Sequence, residues 1–246
     1  MRVHRLYTPQ ALDPGRELQL EEKPSHYLGR VLRVGAGERV ALFNGDGHEY
    51  AAEVLSPVRS GMILRVDSRL PGLPEAPVSI TVVQAISRGE RMDLTLQKCT
   101  ELGAGGFQLL DTERVEVRLR AGKLEKRMAH WHAVIVSACE QCGRSRLPAI
   151  AAPLALDDWL LSAGDAVRLV LDPGAEQSLA ETMAALGERP AVEVVVGPEG
   201  GFSDAELAAL RVGGVRPARL GPRVLRTETA GPAAVAVIQA LVGDCR

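Results

Sequence analysis

The chain has 246 residues, room for one large domain or two modest ones, and either division can bury a real core. Its 46% apolar and 24% charged residues exclude a disordered, collagen-like or fibrous chain. A net charge of −2, from 29 basic and 31 acidic residues, excludes a polybasic nucleic-acid binder.

In chain order, the first 70 residues read as β-rich, with alternating or β-branched runs at Arg39 to Phe43, Glu49 to Leu55 and Met62 to Val66. Asn44-Gly45-Asp46-Gly47 predicts a hairpin turn between the first two runs, because both glycines tolerate positive φ. One helix is expected over Ser25 to Arg33, starting at Pro24 and Ser25, with Tyr27, Leu28, Val31 and Leu32 as its apolar face. Together these suggest a small barrel-like module. Leu70 to Pro77 packs three prolines and a glycine into eight residues, a stiff linker and the best domain boundary.

Beyond it strands and helices alternate. Strands are expected at Val78 to Val83, Gln108 to Leu110, Val167 to Leu171, Ala191 to Val196 and Arg216 to Leu220. Helices are expected at Glu90 to Leu102, Lys123 to Cys142, Ser178 to Leu186, Asp204 to Leu210 and in a last segment through Leu241. This rhythm implies a mostly parallel sheet covered on both faces. In the long helix Leu124, Met128, Trp131, Ile135, Ala138 and Cys142 form a buried stripe, and Gly143 is its stop.

The most informative segment is Val192 to Ser203, where a buried strand runs into Gly197-Pro198-Glu199-Gly200-Gly201 and then Ser203-Asp204-Ala205-Glu206, which has capping-box spacing. Loops at the carboxyl ends of strands are where open α/β sheets hold ligands, and glycines let backbone N–H groups approach one closely. The segment is neither a dinucleotide fingerprint nor a phosphate loop, and a plain tight turn is the alternative. A second strand-to-loop junction, Ala218 to Pro232, follows, so the two loops can share a pocket. From Ala230 to Gly243 only Gln239 is polar, which predicts burial on more than one side, inside the domain or at a subunit interface.

The apolar stretch through Ala233 to Leu241 falls short of the run of about 18 residues that spanning a membrane requires. The start, MRVHRLYTPQ, carries positive charge without an apolar block behind it, so no secretory signal is expected. A cytoplasmic location follows, with Cys99, Cys139, Cys142 and Cys245 as reduced thiols. Cys139-x-x-Cys142 lies inside a predicted helix without a second such pair, and His130 and His132 face opposite sides of it. No metal is expected.

GPEGGFSDAE, LGPRVLRTETA, RMDLTLQKCTELG (Arg91 to Gly103) and HWHAVIVSACEQCGRSRLP (His130 to Pro148) together resemble the bacterial RsmE family, as does His26 to Arg33. These are S-adenosylmethionine-dependent methyltransferases of the SPOUT class that modify N3 of a uridine in small-subunit (16S) ribosomal RNA. The resemblance implies an α/β fold: a small N-terminal PUA-like β-barrel (1–70) that binds RNA, a linker (71–77), and a SPOUT domain (78–246) with a trefoil knot, an exception to the rule that chains do not thread loops. It implies a homodimer acting on 16S rRNA in the small ribosomal subunit, with no membrane and no metal.

The same resemblance places the cofactor between the strand end at Leu171-Asp172, the loop Gly197, Pro198, Glu199, Gly200 and Gly201, the Leu220-Gly221 turn and Arg223, Val224 and Leu225. Leu171, Leu220, Val224 and Leu225 would wall the adenine. Arg226, in a segment with five arginines from Arg211 to Arg226 and no acid between Leu207 and Thr227, could stabilise a developing uracil anion, and Glu228 is a candidate proton acceptor, equally readable as a first-turn helix carboxylate. Gln141 could read a uracil edge, and Arg91, Lys98 and Arg144, with Arg88, Arg114, Arg118 and Arg146, are candidates for RNA phosphates.

Two other classes compete. A non-catalytic RNA-binding protein with a vestigial pocket is disfavoured by the intact GPEGG and LRTETA segments, and a dehydrogenase lacks its fingerprint. Residues 151 to 246 carry 8 basic and 13 acidic groups, so near-neutrality is a sum over unequal parts. A protein docking on one structured RNA can use shape and a few placed arginines.

Overall fold

The structure, a computed structural model, describes residues 3–58, 61–116, 121–162, 164–186 and 191–245. Arg118 lies outside them. Contacts divide the chain into one unit of Met1–Glu75 with Val136–Leu147 and a second of Ala76–Ile135 with Pro148–Arg246. The break after Glu75 falls within the expected linker, whereas Val136–Leu147 joins the first unit from a distance that a linear reading does not reveal.

The first unit holds β1 (His4–Tyr7), β2 (Glu17–Gln19), α1 (Glu22–His26), β3 (Arg39–Phe43), β4 (His48–Val58) and β5 (Gly61–Pro71). Its sheet runs β1-β3-β4-β5-β2, parallel at β1–β3 and antiparallel elsewhere. The predicted β3–β4 turn is present: Gly45 and Gly47 both have φ +93°, and Asn44 and Asp46 carboxamide and carboxylate oxygens accept the Asp46 and His48 N–H groups. Alternation along β5 buries Met62, Leu64 and Val66 against Val54, Ala52 and Leu28 in one core. Among the described residues no ladder joins the two edge strands. Side chains bridge beyond them instead, Thr8 Oγ1 and Gln10 Nε2 donating to Glu21 at 3.2 and 3.1 Å.

The expected helix over Ser25 to Arg33 is corrected. It starts earlier, as α1, and continues as a π-helical turn over Tyr27–Val31. Ser25 does not cap it but turns inward, donating to Leu20 O at 3.1 Å and accepting from Met62 N at 3.0 Å, which ties the helix to β5. Of the expected apolar face Leu28 is fully buried, while Tyr27 and Val31 stay 43% and 60% exposed.

The second unit carries β6 (Ser79–Ala85), α2 (Glu90–Glu101), β7 (Gly106–Asp111), α3 (Ala121–Cys142, counted with the first unit from Val136), β8 (Ala149–Ala155), α4 (Leu156–Leu161), β9 (Val167–Leu171), α5 (Leu179–Leu186), β10 (Ala191–Val196), α6 (Asp204–Val212), β11 (Arg216–Ala218) and α7 (Thr227–Val242). The sheet is parallel throughout, in the order β11-β9-β10-β6-β7-β8, as the alternation of elements implies. Its centre is apolar on both faces, with Ile80, Val82, Val83, Val194 and Val195 fully buried. β8 escaped the sequence reading because Ala-Ile-Ala-Ala-Pro-Leu-Ala has weak strand propensity and a proline, which an edge strand tolerates. β11 stops at Ala218 rather than Leu220; only an isolated bridge, Ser178 with Arg219, prolongs it.

The α3 stripe is as expected, with Trp131, Ile135 and Ala138 buried and Leu124, Met128 and Cys142 half-buried. On α7, Thr227, Ala230, Gly231, Ala234, Val235, Ile238 and Gln239 are buried, whereas Ala240 and Leu241 on its other side are exposed. Among the described residues no helix is long and apolar enough to cross a membrane.

Candidate functional site

Three chain segments at the carboxyl ends of parallel strands meet in the second unit. β10 delivers its last valine, Val196, into the loop Gly197–Phe202, which α6 ends with the predicted capping box: Ser203 Oγ accepts from Glu206 N at 3.2 Å and Ser203 N donates to Glu206 at 2.8 Å. β9 delivers Leu171 and Asp172. The segment Leu220 to Arg226 returns from β11 to the start of α7. They enclose a cavity of about 670 Å³.

The glycines of the first loop sit where a side chain would crowd its neighbours or strain the backbone. A Cβ on Gly197 would stand 3.1 Å from the Phe202 ring, one on Gly200 would stand 3.1 Å from Arg114 Cβ, and Gly201 has φ +66°. The loop therefore packs closely on Phe202 and Arg114 while Gly201 takes a left-handed conformation that favours glycine.

Of the residues expected at a cofactor, Leu171, Gly197, Pro198, Glu199, Gly200, Gly201, Leu220, Arg223, Val224 and Leu225 all line this cavity, and Gly221 makes the adjoining turn at φ +69°. Arg226 and Glu228 line it too. Val224 is 81% exposed, so it stands at the rim rather than in an enclosed apolar wall. Asp172 lines it beside Leu171, as the strand end implies, and so do Val196, Thr227 and Ala230; Pro173, Phe202 and Leu207 also line it and were not anticipated.

Charge is concentrated on one side. Glu199 accepts from Arg91 Nη1 at 2.9 Å and from the Arg88 backbone N–H at 3.1 Å. Burial alone would raise its carboxyl, but these hydrogen bonds and the Arg91 charge outweigh it and hold the group below the ordinary carboxylate range. Glu228 is nearly enclosed, its side chain 11% exposed, with Oε1 at 3.9 Å from Arg91 Nε and 4.0 Å from Arg226 Nη1. Among the described residues its buried Oε2 has no hydrogen-bond partner. Arg226 precedes the first turn of α7 and its side chain is 82% exposed at the cavity mouth. In such an arrangement the enclosed carboxylate can accept a proton and the exposed guanidinium can face a developing anion.

The expected phosphate contacts separate. Arg91 belongs to the cavity wall, and Arg114 Nη1 grips the carbonyls of Gly200 and Phe202 at 3.1 and 3.2 Å, so both brace the loop. Lys98 pairs with Glu101 at 2.9 Å, and Arg88 reaches Glu116 at 3.8 Å. In the first unit Gln141 is exposed on the last turn of α3 and Arg146 is exposed, whereas Arg144 is buried and paired with Glu75, which turns its guanidinium inward. Cys139 is buried and its thiol is pushed up to about 12 by that burial. Among the described residues no group of three or more His, Cys, Asp or Glu side chains is placed to hold a metal ion.

An RNA methyltransferase domain model matches residues 74–239, and an RNA methyltransferase PUA domain model matches residues 20–66. Ribosomal RNA small subunit methyltransferase E of Buchnera aphidicola is 30% identical over 99% of this chain and 98% of its own length. The protein of that name from Mycobacterium bovis is 33% identical over 93% and 88%. A Neisseria gonorrhoeae ribosomal RNA small subunit methyltransferase E, solved bound to S-adenosyl methionine, superposes with a TM-score of 0.90 at 33% identity over 100% of both chains. A Legionella pneumophila methyltransferase in complex with the bound cofactor SAM gives 0.94 at 39% identity over 99% of this chain and 100% of the other. With a domain model spanning most of its length and relatives matched nearly end to end, the chain belongs to the ribosomal RNA small subunit methyltransferase E family.

Proposed function

We propose that this protein methylates N3 of a uridine in 16S ribosomal RNA using S-adenosylmethionine. The observation that carries the reading is the cavity of about 670 Å³ framed by the strand ends at Leu171 and Val196 and closed by Leu220 to Arg226. Its size is ordinary for a small cofactor, and its lining joins apolar Leu171, Leu220 and Leu225 to glycine backbone, which suits an adenine ring with a polar edge. The unpartnered buried Glu228 oxygen is a further fit to a ligand that brings a donor.

When bound, the cofactor supplies a methyl group that bonds to N3 as the sulfur–methyl bond breaks, the sulfur keeping the electron pair as a neutral thioether. Arg226 faces the uracil and stabilises the negative charge that grows on its carbonyl oxygens as the N3 proton departs. Glu228 accepts that proton on its free oxygen, while Arg91 holds the other side of the carboxylate. The loops contribute chiefly position, as an in-line displacement requires.

In this reading residues 1–70 form the PUA-like RNA-binding domain, 71–77 the linker and 78–246 the SPOUT domain. The trefoil knot belongs to the same proposal, supported by the return of Leu220 to Arg226 from the edge strand β11 to the sheet centre, where Thr227 donates to Gly197 O at 2.8 Å. A homodimer through α7 is supported by its exposed Ala240 and Leu241. The RNA is met within the small ribosomal subunit, in the cytoplasm, by Gln141, Arg146 and their neighbours. Arg91, Lys98 and Arg144 keep secondary places in that contact, since each has an acidic partner.

Mass-spectrometric mapping of small-subunit RNA from cells lacking the protein tests the reading. Loss of one 3-methyluridine, restored by the wild-type gene, is expected; an unchanged 3-methyluridine overturns it. Failure of the purified chain to bind S-adenosylmethionine in a calorimetric titration favours instead the RNA-binding protein without catalysis.

A further inference from the structure

From Thr227 in the cavity wall a chain of buried polar groups runs back into the sheet. Gln84 is 0% exposed and stands opposite Val196 in the β6–β10 ladder, at the root of the glycine loop. Its Nε2 donates to Ala85 O at 2.9 Å and to Thr227 Oγ1 at 2.9 Å. Thr227, 6% exposed, donates in turn to Gly197 O at 2.8 Å. The proton directions are fixed by inventory: Gly197 O and Ala85 O only accept, the hydroxyl has one proton, and the amide must therefore supply both of its own. Reversing the amide would set Gln84 Oε1 against the Ala85 carbonyl. Among the described residues Oε1 has no hydrogen-bond partner, a cost that a purely structural side chain here would avoid by being apolar.

The bonded carbonyl lies in the Gly197–Pro198 peptide plane, so it sets the first peptide of the loop that carries Glu199. Thr227 also follows Arg226 directly, so the same hydroxyl anchors the backbone from which that guanidinium extends. We infer that Gln84 and Thr227 are positioning residues for methyl transfer, a clamp that fixes the spacing between the Gly197 loop and Arg226. This rests on the methyltransferase reading above. A glutamine set between Val83 and Ala85 near the carboxyl end of a largely buried strand is the sequence signal for it.

Steady-state kinetics with S-adenosylmethionine and small ribosomal subunits lacking the N3 methyl group test the clamp. Thr227→Val keeps shape and loses the hydroxyl, and its kcat should fall by about tenfold or more while KM for the cofactor rises less than about threefold, since orientation is lost before binding. Thr227→Ser keeps the hydroxyl and should stay within about threefold of wild type. Gln84→Met should resemble Thr227→Val, and the double variant should be no slower than the worse single one, because both remove one unit. If Thr227→Val does not fold, Gln84→Met carries the same expectation. Variants that lower only the melting temperature with kcat within twofold, or a Thr227→Ser as impaired as Thr227→Val, overturn the clamp alone. A wild-type protein that methylates nothing overturns the methyltransferase reading, and the clamp with it.

Discussion

Arg91 Nη1 lies 2.9 Å from Glu199 Oε1 while Arg91 Nε lies 3.9 Å from Glu228 Oε1, so a single guanidinium on α2 spans the glycine loop and the first turn of α7. Its fork shape is what permits this, since an ammonium is a point charge. Arg91→Lys should therefore keep the contact to one carboxylate only. Cofactor affinity by calorimetry is expected to fall roughly threefold in Arg91→Lys and roughly tenfold in Arg91→Ala, modest because the pair is partly solvated. Equal and unchanged affinities would remove Arg91 from the site.

The same pair predicts a pH dependence. The folded carboxyl of Glu199 sits below its ordinary value of 4.5, so its ion-pair contribution is fully present above that value and is lost as pH falls through the lower folded one. Glu199→Gln should melt roughly 3 °C or less below wild type at neutral pH, and the gap should close only on acidification below about pH 4.5. Thermal melts across a pH series check this; a gap that widens in acid contradicts the sign.

Arg226 and Glu228 divide the chemistry in testable ways. Arg226→Ala should abolish methylation, with cofactor binding within about threefold of wild type, because an 82% exposed guanidinium adds little to a bound ground state and much to a developing anion. Glu228→Gln keeps the shape and loses the base, so methylation should slow by about a hundredfold and recover in part at alkaline pH. Equal loss of binding and turnover in Arg226→Ala would make that arginine a binding residue.

Much of this site is legible in the sequence because its loops follow apolar strands and are marked by residues with few alternatives: three glycines, a capping box and a proline. The helix at Glu22–His26 was misjudged because Ser25 looks like a cap until Met62, distant in sequence, supplies the N–H that its hydroxyl accepts. Arginines were the least legible group. Surface composition says nothing of partners, and it takes three dimensions to see that Arg91 and Arg114 face loop oxygens, Arg144 faces Glu75, and Arg226 projects from the cavity mouth within 4.0 Å of Glu228. Gln84 and Thr227 were missed for the same reason, since the bond that joins them spans 143 residues.

Thiol reactivity separates the cysteines. At pH 8 a thiol pushed up to about 12, like that of Cys139, is ionised to about one part in ten thousand. Cys99 is also buried, and its thiol is raised by the same desolvation. Alkylation of the native protein followed by peptide mass mapping should mark exposed Cys245 within minutes and leave Cys99 and Cys139 unmodified until denaturant is added. Modification of Cys139 as fast as Cys245 would reopen a redox role for the Cys139-x-x-Cys142 pair.

The first unit has its own keystone in Arg5, whose side chain is only 15% exposed. Nε donates to Glu49 at 2.7 Å, Nη1 to Cys139 O at 2.7 Å, and Nη2 to Arg144 O and Ser145 Oγ at 3.3 and 3.2 Å, with the guanidinium carbon 4.9 Å from the centre of the Phe43 ring. The carbonyl of Cys139 belongs to the last turn of α3 and also accepts the Gly143 N–H at 3.1 Å, so Arg5 adds a second bond at the helix end that carries Gln141. Removing it leaves the half-buried Glu49 without its ion-pair partner and strips one donor from the end of α3. Arg5→Ala should cost about 2–4 kcal/mol and lower the melting temperature by about 5–15 °C. Arg5→Lys should recover less than half, because one ammonium cannot reach Glu49 and the helix end together. Cofactor affinity should be unchanged in both, since every residue lining the cavity belongs to the second unit. Affinity for the small ribosomal subunit should fall in Arg5→Ala if Gln141 and Arg146 meet the RNA, and a variant melting within 2 °C of wild type would deny Arg5 this role.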